Sequence, residues 1–130
     1  MTHRMTVRVY YEDTDMAGVV YYANYLKFIE RGRSEWVRSL GIDQVKLKEE
    51  QGIVFPVRRV EADYFAPARL DDLLEVASTP VESSASRLVL LQEVFRGETR
   101  LFSAKVTLVA VGADFRPTRL PEALKVTAAP

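Results

Sequence analysis

The sequence predicts an α+β fold in which one long helix packs on a mostly antiparallel sheet of five strands. Apolar and polar residues alternate over 5–11, apolar residues recur at helical spacing over 25–40, and further alternating segments follow residue 57. A period of two is typical of half-buried strands, and a period near 3.6 is typical of amphipathic helices. This order of elements favours a helix layer on a sheet layer. No repeat or linker divides the chain, so we expect one domain over 1–130.

The amino-acid composition excludes several classes of chemistry. The chain has no cysteine and a single histidine, His3. It therefore offers no thiolate nucleophile, no disulfide and no zinc site built from several Cys or His ligands. A Ser-His-Asp triad would have to recruit His3 from the chain terminus. A hydrolytic enzyme of this composition would depend on a carboxylate instead, and we expect neither a metal nor a cofactor.

The charge balance argues against polyanionic partners. Eighteen Lys and Arg residues balance eighteen Asp and Glu residues, so the formal net charge is zero. There is no global basic field that would attract nucleic acid or an anionic membrane. The opening residues lack the apolar core of a signal peptide, and no apolar run approaches the roughly 20 residues of a membrane span. We therefore expect a cytoplasmic protein, and the absence of net charge makes self-association easier.

The first strand and the long helix are predicted from their periodicity. In the segment MTVRVYY, Met5, Val7 and Val9 alternate with polar neighbours, which indicates a half-buried strand. After a non-periodic connection, Gly41 ends a helical stripe that is formed by Tyr25, Phe28, Ile29, Gly32, Trp36, Val37 and Leu40. Glycine costs a helix about 1 kcal/mol relative to alanine. Its place within the stripe indicates that the helix backbone closely approaches a flat surface such as a sheet.

The second half of the chain predicts a short helix and four strands. Asp43 is expected to cap a helix that ends before Gly52. The strands are expected over 57–65, 73–82, 87–96 and 100–111, joined as a meander, and the tail 116–121 is expected to fold back over a sheet edge. The last strand has an inward row of Phe102, Ala104, Val106, Leu108 and Ala110. One long helix covers such a sheet incompletely, which favours a homo-oligomer.

The segment YEDTDMAGVVYYANY, residues 11–25, is the candidate site. It places three carboxylates and a glycine immediately before the long helix. Asp13, Thr14 and Asp15 could simply form a turn that satisfies backbone amides. Alternatively, the free N–H groups and partial positive charge of the helix N-terminus would keep a carboxylate ionised and hold a developing oxyanion.

The sequence of this segment also resembles the signature of a known protein family. The string YYEDTDMAGVVYYANYL, followed by FIERGR, is similar to the signature of the hotdog-fold acyl-CoA thioesterases. It resembles in particular the 4-hydroxybenzoyl-CoA thioesterase-like family and its tol-pal-associated branch. The PARLDD turn at 67–72 and the RPTRLP tail fit as well, so the resemblance covers nearly the whole chain. It implies a hotdog fold, in which a curved sheet wraps a long central helix, and homodimers, often paired into tetramers, with active sites at the subunit interface.

The resemblance assigns roles to loop residues. Asp15 matches the family's catalytic aspartate, which acts either as a nucleophile or as a general base, and the sequence leaves both open. The backbone N–H groups around Tyr22 match the oxyanion-binding position, and Gly18 lets the loop approach the substrate closely. Many members of the tol-pal-associated branch have histidine where this chain has Tyr22. Asn24 is interpreted as the helix N-cap, with a substrate contact in the acyl pocket as the alternative.

Four further residues are candidates for substrate binding. Glu30 is the rival catalytic carboxylate, because another hotdog lineage places its glutamate on the helix; it could also contact a polar acyl group across the dimer or face solvent. Arg58, Arg59 and Arg87 could form a cationic rim for the phosphates of coenzyme A, or they could be ordinary surface arginines.

The resemblance therefore implies an acyl-CoA thioesterase that releases a free acid and coenzyme A. The alternative is a non-catalytic hotdog module that binds acyl-CoA or an acyl-carrier protein. A hotdog dehydratase would need a catalytic histidine, which this chain lacks apart from His3. The acyl group, the choice between coenzyme A and acyl-carrier protein, and the choice between dimer and tetramer stay open.

Overall fold

The computed structural model describes residues 1–126. Its strands are β1 (His3–Arg8), β2 (Val57–Tyr64), β3 (Leu73–Ser83), β4 (Arg87–Arg96) and β5 (Thr99–Val109), and its α-helices are α1 (Asn24–Ser39) and α2 (Gln44–Gln51). Short 3-10 turns lie at Tyr11–Asp13 and Glu122–Leu124. The predicted α+β class is confirmed. Over 1–126, neither α-helix has the length and apolar character needed to cross a membrane.

The five strands form one antiparallel sheet in the order β1-β3-β4-β5-β2. Strands β3 to β5 form a meander, as expected. The prediction that β2 also belongs to that meander was wrong, because β2 pairs with β5 at one edge and β1 takes the place next to β3. Alternation along a strand specifies which face is apolar and does not specify its neighbour, so the pattern fitted either order.

Helix α1 lies on the sheet and contacts β1, β3 and β4. Its buried residues include Tyr25, Phe28, Ile29, Gly32, Trp36 and Val37. A Cβ atom at Gly32 would lie 2.6 Å from Val76 Cγ1 of β3, so the predicted close approach of the helix backbone to the sheet is confirmed. The inward row of β5, from Phe102 to Ala110, is also buried as expected.

A buried polar cluster joins α1 to the centre of the sheet. Gln92 of β4 is fully buried and donates from Nε2 to the carbonyl of Ile29 and to Ser78 Oγ. Its Oε1 accepts a 2.9 Å hydrogen bond from Arg33 Nη1. Burial lowers the pKa of the Arg33 guanidinium below its usual range, with the nearby Glu30 acting in the opposite direction. The cluster therefore satisfies polar groups that the helix and sheet bury together.

Several boundaries match the predictions and some move by a few residues. The side chain of Asp43 accepts from the Lys46 N–H, and Gly52 has a φ of 68°, so the expected cap and stop of α2 are confirmed. The tail folds back as expected, but it binds the turn between β3 and β4 and not a sheet edge, since the Leu120 N–H donates to the Ala85 carbonyl and the edge strands are β1 and β2. The first strand begins two residues earlier than predicted, at His3, and ends three residues earlier, at Arg8, because the chain turns into the 3-10 segment at Tyr11.

Strand β2 is exposed along its whole length. Its alternation predicts one apolar face, yet Val60 and Tyr64 are 38% and 47% exposed. The edge of β2 that faces away from β5 has no neighbouring strand among residues 1–126. An unpaired edge with exposed apolar side chains is a common site of association between chains.

Candidate active site

The loop between β1 and α1 contains a small hairpin that presents Asp15. Thr14 and Val20 form an antiparallel bridge, and the Asp15 N–H donates to the Val19 carbonyl over 2.9 Å. The Gly18 N–H donates to the Asp15 carbonyl, and Gly18 has a φ of 79°, which favours glycine. A turn that closes on a residue with positive φ is typical of three-residue hairpin loops. Asp15 thus stands at the start of a hydrogen-bonded turn.

The side chain of Asp15 is exposed, and only one of its two carboxylate oxygens accepts a hydrogen bond within residues 1–126. Its Oδ1 accepts from the Ala17 N–H over 2.9 Å, and Oδ2 has no hydrogen-bond partner within residues 1–126. An open cleft of about 530 Å³ surrounds it, lined by Tyr11, Thr14, Asp15, Met16, Gly18 and Leu70. One oxygen therefore fixes the orientation of the carboxylate, and the other can attack an electrophile or accept a proton from water.

Asp13 connects this hairpin to the start of α1. Its Oδ2 accepts from the Tyr10 N–H, and its carbonyl accepts from the Tyr21 N–H. Its Oδ1 accepts a 2.9 Å hydrogen bond from Asn24 Nδ2. The interpretation of Asn24 as N-cap was wrong, because Ala23 occupies the cap position with helical dihedral angles and no side-chain cap bond. The buried Asn24 amide turns instead toward Asp13, which lies on the preceding loop.

Tyr22 and Ala23, which immediately precede α1, have backbone N–H groups without an acceptor in residues 1–126. Within the described part of the chain, no carbonyl or side chain accepts from either N–H. Unpaired N–H groups in the first turn of a helix carry partial positive charge and can bind an oxyanion. The Tyr22 phenol is 63% exposed. The loop and the residues that precede α1 therefore carry both a carboxylate and free backbone N–H donors.

A tyrosine of β2 reaches this same turn. Tyr64 Oη donates a 2.8 Å hydrogen bond to the Tyr22 carbonyl. Its ring contacts those of Tyr25 and Phe102, with centroids at 5.5 Å and 5.0 Å. Burial, aided by the neighbouring tyrosines, raises the pKa of Tyr64 above its usual range. Nothing in the sequence marks Tyr64 as a site residue beyond its aromatic ring and its position near the end of an alternating strand.

Glu30 and the three arginines lie apart from the Asp15 cleft in the single chain. Glu30 is exposed on α1, about 9 Å along the axis from Asn24, and accepts from Ser34 Oγ. Arg59 and Arg87 pair with Thr107 and Val109 on β5, and Arg58 precedes Arg59. Tyr64 pairs with Phe102, about 20 Å toward the other end of β5.

The arginines also differ in their partners. Arg59 lies 3.5 Å from Glu61, and Arg87 lies 4.0 Å from Glu82. Arg58 is exposed and forms no ion pair with any residue in 1–126. No group of three or more Asp, Glu or His side chains over 1–126 is placed to hold a metal ion.

Within residues 1–126, the loop before α1 carries an aspartate with a free oxygen and ends in unpaired backbone donors, the two kinds of group that acyl transfer uses. The sequence profile of the thioesterase superfamily matches residues 17–103. The acyl-CoA thioesterase YbgC of Haemophilus influenzae is 41% identical over 120 residues, which are 92% of this chain and 88% of that protein. The chain belongs to the thioesterase superfamily and shares the α+β architecture of its hotdog members. The profile begins after Asp15, so the assignment does not depend on that residue.

Solved structures give the same assignment. A probable thioesterase from Bartonella henselae superposes with a TM-score of 0.89 at 37% identity and covers 93% of this chain and 100% of its own. A 1,4-dihydroxy-2-naphthoyl-CoA thioesterase from Synechocystis superposes with a TM-score of 0.87 at 27% identity and covers 95% of this chain and 92% of its own. The protein is therefore a thioester hydrolase, as the resemblance of its loop sequence implies.

Proposed function

We propose that the protein hydrolyses acyl-CoA thioesters and that Asp15 supplies the reacting carboxylate. The observation that carries this proposal is the carboxylate of Asp15, which lines an open cleft and whose Oδ1 accepts from the Ala17 N–H while Oδ2 has no hydrogen-bond partner within 1–126. The names of the relatives support coenzyme A as the carrier. An acyl-carrier protein is the other carrier to be tested.

Two routes use the same geometry. As a nucleophile, Asp15 attacks the thioester carbonyl, the C–S bond breaks, and coenzyme A leaves as a thiolate that takes a proton from water. Water then hydrolyses the resulting anhydride and restores the carboxylate. As a general base, Asp15 instead removes a proton from water while that water attacks the carbonyl, and the proton passes to the departing thiolate. Both routes yield a free acid and coenzyme A.

The backbone around Tyr22 has the same role in either route. Negative charge develops on the thioester oxygen, and the free N–H groups of Tyr22 and Ala23 can donate to it. Gly18 has no side chain that would restrict the approach of the substrate to the loop. The branch's usual histidine is absent at Tyr22, so the chemistry uses a carboxylate and backbone donors. The exposed Tyr22 phenol can still donate a hydrogen bond to the substrate.

The more distant residues are proposed to act in a homodimer, and two dimers are proposed to pair into a tetramer. The exposed face and free edge of β2 support association. Across such an interface, Glu30 would contact a polar acyl group, and Arg58, Arg59 and Arg87 would bind the phosphates of coenzyme A. Asn24 is not assigned to the acyl pocket, since its amide is buried and bonded to Asp13.

We also propose the domain organisation and the cellular location of the protein. We assign residues 1–130 to a single hotdog domain whose sheet curves around α1, which the contacts of α1 with β1, β3 and β4 support. We assign the protein to the cytoplasm, where acyl-CoA is available.

The test is release of free thiol from a panel of short-chain, long-chain and aromatic acyl-CoAs. Asp15→Asn should lower kcat by at least about a hundredfold and leave thermal unfolding unchanged, because it removes the nucleophile or base but keeps the hydrogen-bonding shape. Asp114→Asn is the matched control, since Asp114 is exposed in the loop after β5 and has no side-chain partner within 1–126. Full activity of Asp15→Asn would contradict the catalytic assignment. Saturable binding without turnover would instead favour the non-catalytic module.

A rapid-quench experiment separates the two routes. In a single turnover, the nucleophilic route leaves a transient acyl group on the peptide that contains Asp15, detectable by mass spectrometry. The general-base route leaves none. The Asp15→Asn variant, treated identically, is the control for non-enzymatic acylation.

A further inference from the structure

Tyr64 contacts the turn that carries the proposed oxyanion donors and is separate from the Asp15 cleft. It is not among the residues that line the cleft, and its hydroxyl is committed to the Tyr22 carbonyl. It lies 42 residues away from Tyr22 in the sequence. This hydrogen bond is therefore a specific tertiary link between the edge strand β2 and the turn that precedes α1.

The acceptor atom of this bond belongs to the peptide unit that supplies a proposed oxyanion donor. The carbonyl of Tyr22 and the N–H of Ala23 share one planar trans peptide group, and they point in opposite directions. A donor that fixes the carbonyl therefore fixes the direction of the Ala23 N–H as well. Hydrogen bonding at a carbonyl also polarises its peptide group, which strengthens the N–H as a donor.

Backbone hydrogen bonds fix the residues on either side of the Tyr22–Ala23 peptide, and Tyr64 is the side chain that bonds this peptide within 1–126. The Tyr21 N–H donates to the Asp13 carbonyl and the Asn24 N–H donates to the Tyr21 carbonyl, so both flanks are fixed by the backbone. Over 1–126, the Tyr22 carbonyl has Tyr64 as its side-chain donor. Three aromatic rings hold the Tyr64 ring in place, those of Tyr22, Tyr25 and Phe102.

We propose that Tyr64 is a positioning residue for thioester hydrolysis, orienting and polarising the Tyr22–Ala23 peptide so that the Ala23 N–H donates to the oxyanion of the transition state. This inference rests on the proposed function and adds to it a residue from β2. Because burial raises the pKa of Tyr64, its hydroxyl keeps its proton across the neutral pH range and stays a donor.

The test compares Tyr64→Phe with the wild-type protein in the thiol-release assay. The variant keeps the ring and its aromatic contacts and removes only the hydroxyl. We expect kcat to fall about tenfold, less than the loss from deleting an oxyanion donor outright, with KM changed by less than about twofold. Tyr10→Phe is the matched control, because the exposed Tyr10 hydroxyl has no hydrogen-bond partner within 1–126, and it should retain wild-type kcat.

A second measurement separates positioning from folding. Thermal unfolding should show a folded Tyr64→Phe variant, and the amide resonance of Ala23 in labelled protein should shift, since the bond to the preceding carbonyl is lost. A folded variant with wild-type kcat would overturn the proposal, and so would a change confined to KM. If wild-type protein releases no thiol from any acyl-CoA, the proposed function itself fails, and this positioning role fails with it.

Discussion

Asn24 Nδ2 donates a 2.9 Å hydrogen bond to Asp13 Oδ1, so the first turn of α1 is tied to the loop that presents Asp15. Asp13 and Asn24 are 8% and 7% exposed. The same carboxylate accepts from the Tyr10 N–H through its other oxygen. The buried Asp13 carboxylate therefore holds the loop to the start of α1, and Asp15, two residues later, remains accessible.

Asp13→Ala is expected to lower the free energy of unfolding by about 2 kcal/mol, because the Tyr10 N–H and the Asn24 amide lose their acceptor in a buried setting. Urea unfolding measures the change. Thiol release should fall as well, since the start of α1 is no longer tied to the loop. Asp114→Ala, which removes an exposed carboxylate in the loop after β5, should change the unfolding free energy by less than about 0.5 kcal/mol. Equal effects of the two substitutions would contradict the role given to Asp13.

Gly32→Ala is expected to destabilise the protein by about 1–2 kcal/mol. Alanine would gain about 1 kcal/mol of helix propensity, but its Cβ would lie 2.6 Å from Val76 Cγ1, and overpacking a buried contact typically costs more. Gly112→Ala is the control, because a Cβ at Gly112 meets nothing within 4 Å.

A double-mutant cycle tests whether the contact with Val76 is the cause. In a Val76→Ala background the obstructing methyl group is gone, so Gly32→Ala should cost less than it does in the wild-type protein. The same cost in both backgrounds would show that the close approach of α1 to β3 is not the reason.

Gln92→Leu is expected to lower the free energy of unfolding by about 3 kcal/mol. The substitution removes the acceptor of Arg33 and the donor to Ser78, and it leaves a desolvated guanidinium without that partner. Chemical denaturation of the variant measures the loss. Gln51→Leu, at the exposed end of α2, should change stability by less than about 0.5 kcal/mol. A loss below about 1 kcal/mol at Gln92 would argue that the cluster contributes little.

Asp72 is expected to make the protein sensitive to acid. Burial tends to raise the pKa of Asp72, but hydrogen bonds from the Arg69 N–H and from Arg96 outweigh it and hold the pKa below its usual range. A depressed pKa in the folded state means that the stabilisation is complete above the ordinary value of about 3.9 and is lost as the pH falls below it.

Thermal unfolding followed between neutral pH and about pH 3 tests this dependence. Asp72→Asn should lose stability at neutral pH and should show a shallower further loss in acid than the wild-type protein. Asp71→Asn is the control, because the Asp71 side chain has no hydrogen bond or ion pair within 1–126. An unchanged acid slope in Asp72→Asn would contradict the assignment.

The elements were predictable because they depend on residues that are close in sequence. The period of two in β4 and β5, the cap of α2 at Asp43 and the stop at Gly52 are all local features. The approach of α1 to the sheet was predictable from Gly32, since a glycine within the apolar stripe of a helix leaves room for another backbone or side chain to come close. The candidate loop was predictable for the same reason, because its carboxylates and Gly18 lie within seven residues of one another in the sequence.

The sequence by itself determined the α+β class, the helices and the loop that carries Asp15, because periodicity and turn chemistry act over a few residues. Only the tertiary structure decided that β2 lies beside β5, that the Asn24 amide binds Asp13, and that Tyr64 reaches the Tyr22 carbonyl. An alternating strand fits beside several neighbours, and a side-chain hydrogen bond depends on where distant segments meet. Those relations follow from the packing of the whole sheet on α1, which no local pattern encodes.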